Sequence, residues 1–322
     1  MYDIIALGEL LIDFTEAGLS SAGMNLFERN AGGAVCNMLC AAAKLGAKTA
    51  FIGKVGDDMH GRFLKATLDE VGISTEHMII TSDVFTTLAF VALSPDGERE
   101  FSFARKPGAD TCLDSSELPE EVIKSAKIFH VGSLSLTDEP ARSATYRALE
   151  IAKEAGAVIS YDPNYRASLW RSKDEACRYM KSVLPYADAM KLSDEECVLL
   201  TGTDDIREAG KILNDLGVDC VSVTLGAKGA LVSLRGEQRH VPGAVLDKIV
   251  DTTGAGDAYM GGFMYGFLAS GKTIDELTLD EASDFALLGN ACAGKCILGR
   301  GGIPAMGEKD EVIALYNKIK GE

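Results

Sequence analysis

The chain has 322 residues, 47% of them hydrophobic and 25% charged, which is enough apolar content for a sizeable core and excludes a disordered or fibrous protein. Its 48 acidic residues outnumber 32 basic ones, for a formal net charge of −16, and this excludes a basic surface built to track nucleic acid. The length suits one large α/β domain with an accessory piece.

The N-terminus, MYDIIALGELLIDF, has neither a basic start nor a small-residue cleavage site, and no apolar run reaches the roughly 20 residues of a membrane span. A cytoplasmic protein is expected. Short β-branched runs predict strands at Ile4 to Leu7, Thr49 to Lys54, Lys127 to Val131, Val158 to Tyr161, Ala189 to Leu192 and Cys220 to Leu225. Segments of helical period predict helices between them at Val35 to Leu45, His60 to Val71, Pro140 to Ala155, Asp174 to Leu184 and Ile206 to Leu216. Such alternation implies right-handed βαβ units. The expected fold is therefore α/β, a mainly parallel central sheet with helices on both faces and ligands at the carboxyl ends of the strands. The eight cysteines stand singly or as C-x-x-x-C (Cys36/Cys40, Cys292/Cys296) in apparent helices, the pattern of reduced core thiols rather than of zinc or redox pairs.

One segment breaks the rhythm. Thr86 to Ser94 and Arg99 to Arg105 are extended runs joined by PDGE, a turn signal. A period of two puts Phe101, Phe103 and Arg105 on one face and Glu100 and Ser102 on the other. This hairpin does not fit a parallel sheet, so it is expected to form a small β lid over the active-site edge.

Residues 251 to 273 hold two candidate phosphate motifs. GFLASGKT (Gly266 to Thr273) matches a Walker loop, but such a loop must leave a strand and open a helix. What precedes Gly266 is AYMGGFMY, apolar on every side; it reads as a buried helix ended by Gly271, with Lys272 near the negative end of the dipole. DTTGAGD has the missing context, since Leu246 to Val250 reads as an arriving strand and Ala258 onward as a departing helix. Gly254, Ala255 and Gly256 would then present free backbone donors at a helix N-terminus, with Asp257 in the first turn. Taken alone, Asp257 could equally be a capping residue.

DTTGAGDAYMGGF resembles the C-terminal signature of the ribokinase-like, or PfkB, family of sugar kinases, and GGAVCNMLCAAAKLGAKTAFIGKVGDDMHGRFL (residues 32 to 64) resembles its N-terminal signature. GELLIDF, YDPNYR (161 to 166), KLSDEE (191 to 196) and TLGAKGAL (224 to 231) carry the likeness along the whole chain. The resemblance implies one ribokinase-like domain over residues 1–322, with a β lid that includes the hairpin at about 86–105 and part of 12–31. It also implies transfer of the γ-phosphoryl group of ATP to a sugar hydroxyl, with Asp257 as the base and the N–H groups of Gly254, Ala255 and Gly256 holding the developing charge. Glu196 would organise magnesium through water, with Ser193 standing where the family often has Asn. Lys191, Ser193, Glu196, Thr224, Gly226, Gly229 and Asn290 are the nucleotide-side candidates. Asp13, Gly32, Gly33, Asn37, Phe103, Arg105 and Arg166 are the sugar-side candidates. Carbonyls at Asp251 and Thr253 are candidate ligands for potassium, and two copies are expected to pair through the lid.

REFSFARKPGAD and DPNYR look most like bacterial fructokinases, which predicts D-fructose as the acceptor and fructose 6-phosphate as the product. Arg105 and Arg166 could instead hold a carboxylate bidentately, as a 2-keto-3-deoxygluconate kinase needs; an aminoimidazole riboside kinase is a third relative. A catalytically inactive sugar-sensing protein of this fold would be expected to lose Asp257 or the GAG turn, and both are present.

Overall fold

The computed structural model describes residues 1–93 and 99–321. The expected PDGE turn and the side chains of Glu100 and Phe101 lie outside the described residues. In chain order the elements are β1 (Ile4–Leu7), β2 (Leu11–Leu19), β3 (Asn25–Gly32), α1 (Ala34–Leu45), β4 (Thr49–Gly56), α2 (Met59–Glu70), β5 (Met78–Thr81), β6 (Leu88–Leu93) and β7 (Arg99–Ala104). They continue with α3 (Glu120–Ile123), β8 (Ile128–Gly132), α4 (Ala141–Glu154), β9 (Val158–Asp162), α5 (Lys173–Lys181), β10 (Ala189–Ser193), α6 (Asp194–Thr201), α7 (Ile206–Asp215) and β11 (Cys220–Thr224). The last are β12 (Ala230–Leu234), β13 (Glu237–Val241), α8 (Ala255–Ser270), α9 (Leu279–Cys296) and α10 (Lys309–Lys320).

Nine strands form the large sheet in the order β13-β12-β11-β10-β9-β8-β1-β4-β5. From β11 to β5 every pairing is parallel, and β12 and β13 add an antiparallel edge. The pleat explains the helices on both faces: Ile4 and Ala6 join the core cluster that holds the apolar residues of α1, α8 and α9, while Ile5 and Leu7 join the one that holds those of α4 to α7. This is the α/β class expected from the strand and helix alternation. The chain builds β4 and β5 on one side of β1 and returns to β8 on the other. That reversal creates a crevice at the carboxyl ends of β1 and β8, where ligands of such sheets bind.

The second sheet is small, with order β3-β2-β6-β7. β2 pairs antiparallel with β3 and parallel with β6, and β7 pairs antiparallel with β6, putting Phe103 opposite Ala89. The antiparallel pairing of Leu88–Leu93 with Arg99–Ala104 is the one that the expected hairpin requires. β7 ends at Ala104, so Arg105 is not part of the strand.

Two expectations are corrected. Leu246 to Val250 is not a strand: Val245 and Ile249 are 87% and 56% exposed, so the apolar letters there meet no sheet. The following helix opens at Ala255 rather than Ala258, because Gly254, at φ 76, turns the chain directly into it. α8 carries glycines where neighbouring helices press on it. A Cβ at Gly261 would lie 2.6 Å from Met38 O of α1, and one at Gly262 would lie 2.6 Å from Cys292 Sγ of α9. GFLASGKT is the C-terminal end of this buried helix, from Gly266 to Ser270, and its stop, with Gly271 left-handed. Lys272 pairs with Glu281 at 2.6 Å. It borders a hollow of about 720 Å³ at the amino ends of β8 and β9, the opposite edge of the sheet from Asp257. No helix among the described residues is long and apolar enough to cross a membrane.

Candidate active site

A cleft of about 360 Å³ opens at the carboxyl ends of the central strands, beneath the small sheet. Of the residues expected from sequence, Asp13, Gly33, Asn37, Phe103, Arg166, Lys191, Ser193, Glu196, Thr224, Thr253, Gly254, Ala255, Gly256 and Asp257 line it. Gly254 is the N-cap of α8, and Ala255, Gly256 and Asp257 form its first turn. The cleft therefore meets the N–H end and the positive pole of a 16-residue helix, where Ala255 N–H also reaches Thr252 O at 3.3 Å.

Asp257 is 7% exposed and clamped by two amides: Asn37 Nδ2 donates to Oδ2 at 2.8 Å, and Asn164 Nδ2 donates to Oδ1 at 3.0 Å. Burial, helped by repulsion from Asp162, pushes its carboxyl up to about 6, against the pull of Lys191, the Asn37 bond and Arg166. The Lys191 ammonium lies 2.7 Å from Asp162, both side chains almost fully buried. Burial works against its charge, but Asp162, Glu196 and Asp257 raise its pKa above the ordinary lysine value. A Cβ at Gly256 would come within 2.8 Å of that ammonium. Glycine thus lets a cation sit directly under the helix N-terminus.

Ser193 is the N-cap of α6, and Glu196 closes the capping box by accepting Ser193 N–H at 2.8 Å. Its other oxygen accepts Tyr165 N–H at 2.6 Å, tying the loop after β9 to α6. Asp13 lies on β2 against Gly32 of β3, where any Cβ would collide with the Asp13 carboxylate. Gly33 has φ 125, and a Cβ there would run into the Glu9 carbonyl.

Six expected residues stand behind the lining, Gly32 of β3 among them. Gly226 and Gly229 bracket the turn after β11, and Asn290 of α9 donates to Pro242 O at 2.8 Å, behind the β13 exit. Asp251 ties its loop to the segment after α9, accepting from Thr253 N at 2.9 Å and Gly301 N at 3.0 Å. Arg105 departs furthest from expectation: its guanidinium, 2% exposed, pairs with Asp110 at 2.7 Å and donates to Thr137 Oγ1 at 2.7 Å and Leu134 O at 2.9 Å. It braces the base of the small sheet rather than facing the cleft.

Sequence reasoning missed Glu9 and Asn164. Asn164 sits in the quoted YDPNYR, at φ 46, with its N–H bonded to Asp162 Oδ1 at 3.1 Å. The Asp-Pro-Asn order, favourable to a left-handed Asn, was the available signal. Glu9, a charged letter between the apolar runs IIAL and LLI, is 1% exposed in the cleft wall.

A family model described as "pfkB family carbohydrate kinase" matches residues 1–308. The chain is 43% identical over 309 residues to probable fructokinase-5 of Arabidopsis thaliana, covering 94% of each. Its fold is similar to that of a fructokinase with bound ATP from Xylella fastidiosa, with TM-score 0.90, 31% identity and 100% of both chains covered. It is also similar to a fructokinase double mutant from Vibrio cholerae O395 in a fructose-, ADP- and potassium-bound form, with TM-score 0.88, 32% identity and 98% of each chain covered.

Proposed function

The chain belongs to the pfkB family of carbohydrate kinases, and on that premise we propose that its cleft transfers the γ-phosphoryl group of ATP to the 6-hydroxyl of D-fructose. The observation that carries this reading is the Asp257 carboxylate, held by two amides in the first turn of α8 beside the donors of Gly254, Ala255 and Gly256. The hydroxyl oxygen attacks the γ-phosphorus, its proton passes to Asp257, and the bond to the β-phosphate oxygen breaks to release ADP. A carboxyl poised near 6 is ionised at neutral pH and basic enough to take that proton. The backbone donors of the GAG turn, with Lys191 beneath them, stabilise charge on the moving group.

Magnesium fits the donor set at Glu196. Each carboxylate oxygen accepts one backbone N–H and keeps a lone pair, which suits an outer-sphere role through water. When bound, the ion would neutralise phosphate charge. Potassium would meet carbonyl oxygens of the 251–253 loop, since the Asp251 carboxylate already accepts the N–H groups of Thr253 and Gly301. Eight unpaired cysteines support a cytoplasmic setting.

Fructose is favoured over an acidic sugar because Arg105 is committed to Asp110. Of the two arginines needed for a carboxylate clamp, only Arg166 lines the cleft. In a coupled assay of ADP release, fructose should give a higher kcat/KM than ribose, glucose or 2-keto-3-deoxygluconate. The highest value for ketodeoxygluconate would refute the substrate assignment and leave the kinase assignment standing.

Two copies are proposed to pair through the small sheet, which leaves Leu19, Met24, Leu26, Phe27 and Phe90 between 38% and 68% exposed. Sedimentation should give twice the chain mass for the native protein and one chain mass for Phe27→Asp. A native monomer would refute the pairing.

A further inference from the structure

α1 opens without a capping side chain. Its N-cap is Gly33, held at φ 125 against the Glu9 carbonyl, where no other residue fits. The missing cap is supplied from 25 positions upstream, as Glu9 Oε1 accepts Ala34 N–H at 2.6 Å. The other oxygen, Oε2, is buried without a hydrogen-bond partner among the described residues, in a side chain that lines the cleft. One turn into α1, Asn37 N–H bonds Gly33 O at 2.9 Å, and the Asn37 amide reaches Asp257 at 2.8 Å. A continuous path thus runs from Glu9 through the first turn of α1 to the carboxylate at the start of α8.

We infer that Glu9 is a positioning residue for phosphoryl transfer: it caps α1 in place of the side chain that Gly33 lacks, and so holds Asn37 against Asp257. The inference rests on the reading of Asp257 as the base. What matters is the reach of the carboxyl rather than its charge. Burial pushes Glu9 up to about 7, its own backbone N–H and that of Ala34 oppose this, and the buried Asp110 and Arg105 act on it with opposite signs.

Two substitutions separate reach from charge. Glu9→Gln keeps an acceptor at the same distance and loses the charge, whereas Glu9→Asp keeps the charge and falls one methylene short of Ala34. With the Asn37 clamp loosened by a fraction of an ångström to an ångström, kcat of Glu9→Asp should fall about 10- to 100-fold. The KM for ATP should stay near the native value, and Glu9→Gln should lose only a few fold. Activities are normalised to the folded fraction from thermal unfolding, so a cap that matters only for stability would lower Tm and leave kcat untouched. That result, or a larger kcat loss in Glu9→Gln than in Glu9→Asp, would overturn the inference. Asp257→Asn is measured alongside. Its near-normal turnover would sink the base assignment and this inference together, whereas a crippled Asp257→Asn beside a normal Glu9→Asp would sink the inference alone.

Discussion

Asp257→Asn should lower kcat by about 10²- to 10⁴-fold, the usual cost of losing a general base, while ATP still binds. The substitution preserves volume, but an asparagine amide turned toward either Asn37 or Asn164 sets donor against donor in the clamp. Backbone donors of the GAG turn are untouched, which is why nucleotide affinity survives. In the native enzyme kcat/KM should fall as pH drops through about 6, because protonating the raised carboxyl removes the acceptor. Lys272→Ala should leave turnover unchanged, since Lys272 only pairs with Glu281 at the far edge of the sheet. Sugar-dependent ATP turnover of both variants decides between the two phosphate motifs. A crippled Lys272→Ala with a nearly normal Asp257→Asn would reverse the assignment.

Arg105→Ala should destabilise the protein by about 3–5 kcal/mol, the range for stripping one partner from a buried ion pair. The Arg105 and Asp110 side chains are 2% and 1% exposed, so the orphaned Asp110 carboxylate would keep, among the described residues, Thr87 as its side-chain donor. Urea unfolding measures the loss. Replacing both partners with apolar residues, Arg105→Met with Asp110→Leu, should recover part of it, because no charge is then left buried. Unchanged stability in Arg105→Ala would mean that this pair does not anchor the small sheet.

Arg105 also shows where reading the chain stops. The period of two that grouped it with Phe103 stops at Ala104, where β7 ends, and the partners that decide its role include Leu134 and Thr137, 29 and 32 residues away. Nothing in a period of two reports such distances. The βαβ rhythm was legible because each strand and helix carries its own burial pattern. The GAG turn was legible because its chemistry lies in consecutive backbone groups. β2 and β3 were harder: from Thr15 to Glu28 the residues are at most partly buried, so no clean alternation marks them as strands. Asn164 and Glu9 sit in stretches that were noticed, but their roles depend on α8 and on the start of α1, which meet them only in three dimensions.

The division of labour between the two sheets bears on how such an enzyme changes over evolutionary time. Asp257 rides on a helix wedged by close packing against α1 and α9, so a side chain added at Gly261, Gly262 or Gly266 collides with a neighbour. Asp13 and Phe103 ride on a four-stranded sheet whose β3 margin begins in solvent, with Asn25 to Phe27 all exposed. Drift in acceptor preference can therefore accumulate in the outer sheet without disturbing the reaction centre. A deep mutational scan selected for turnover should show this as a sharp step in tolerance between β2–β3 and the first three turns of α8.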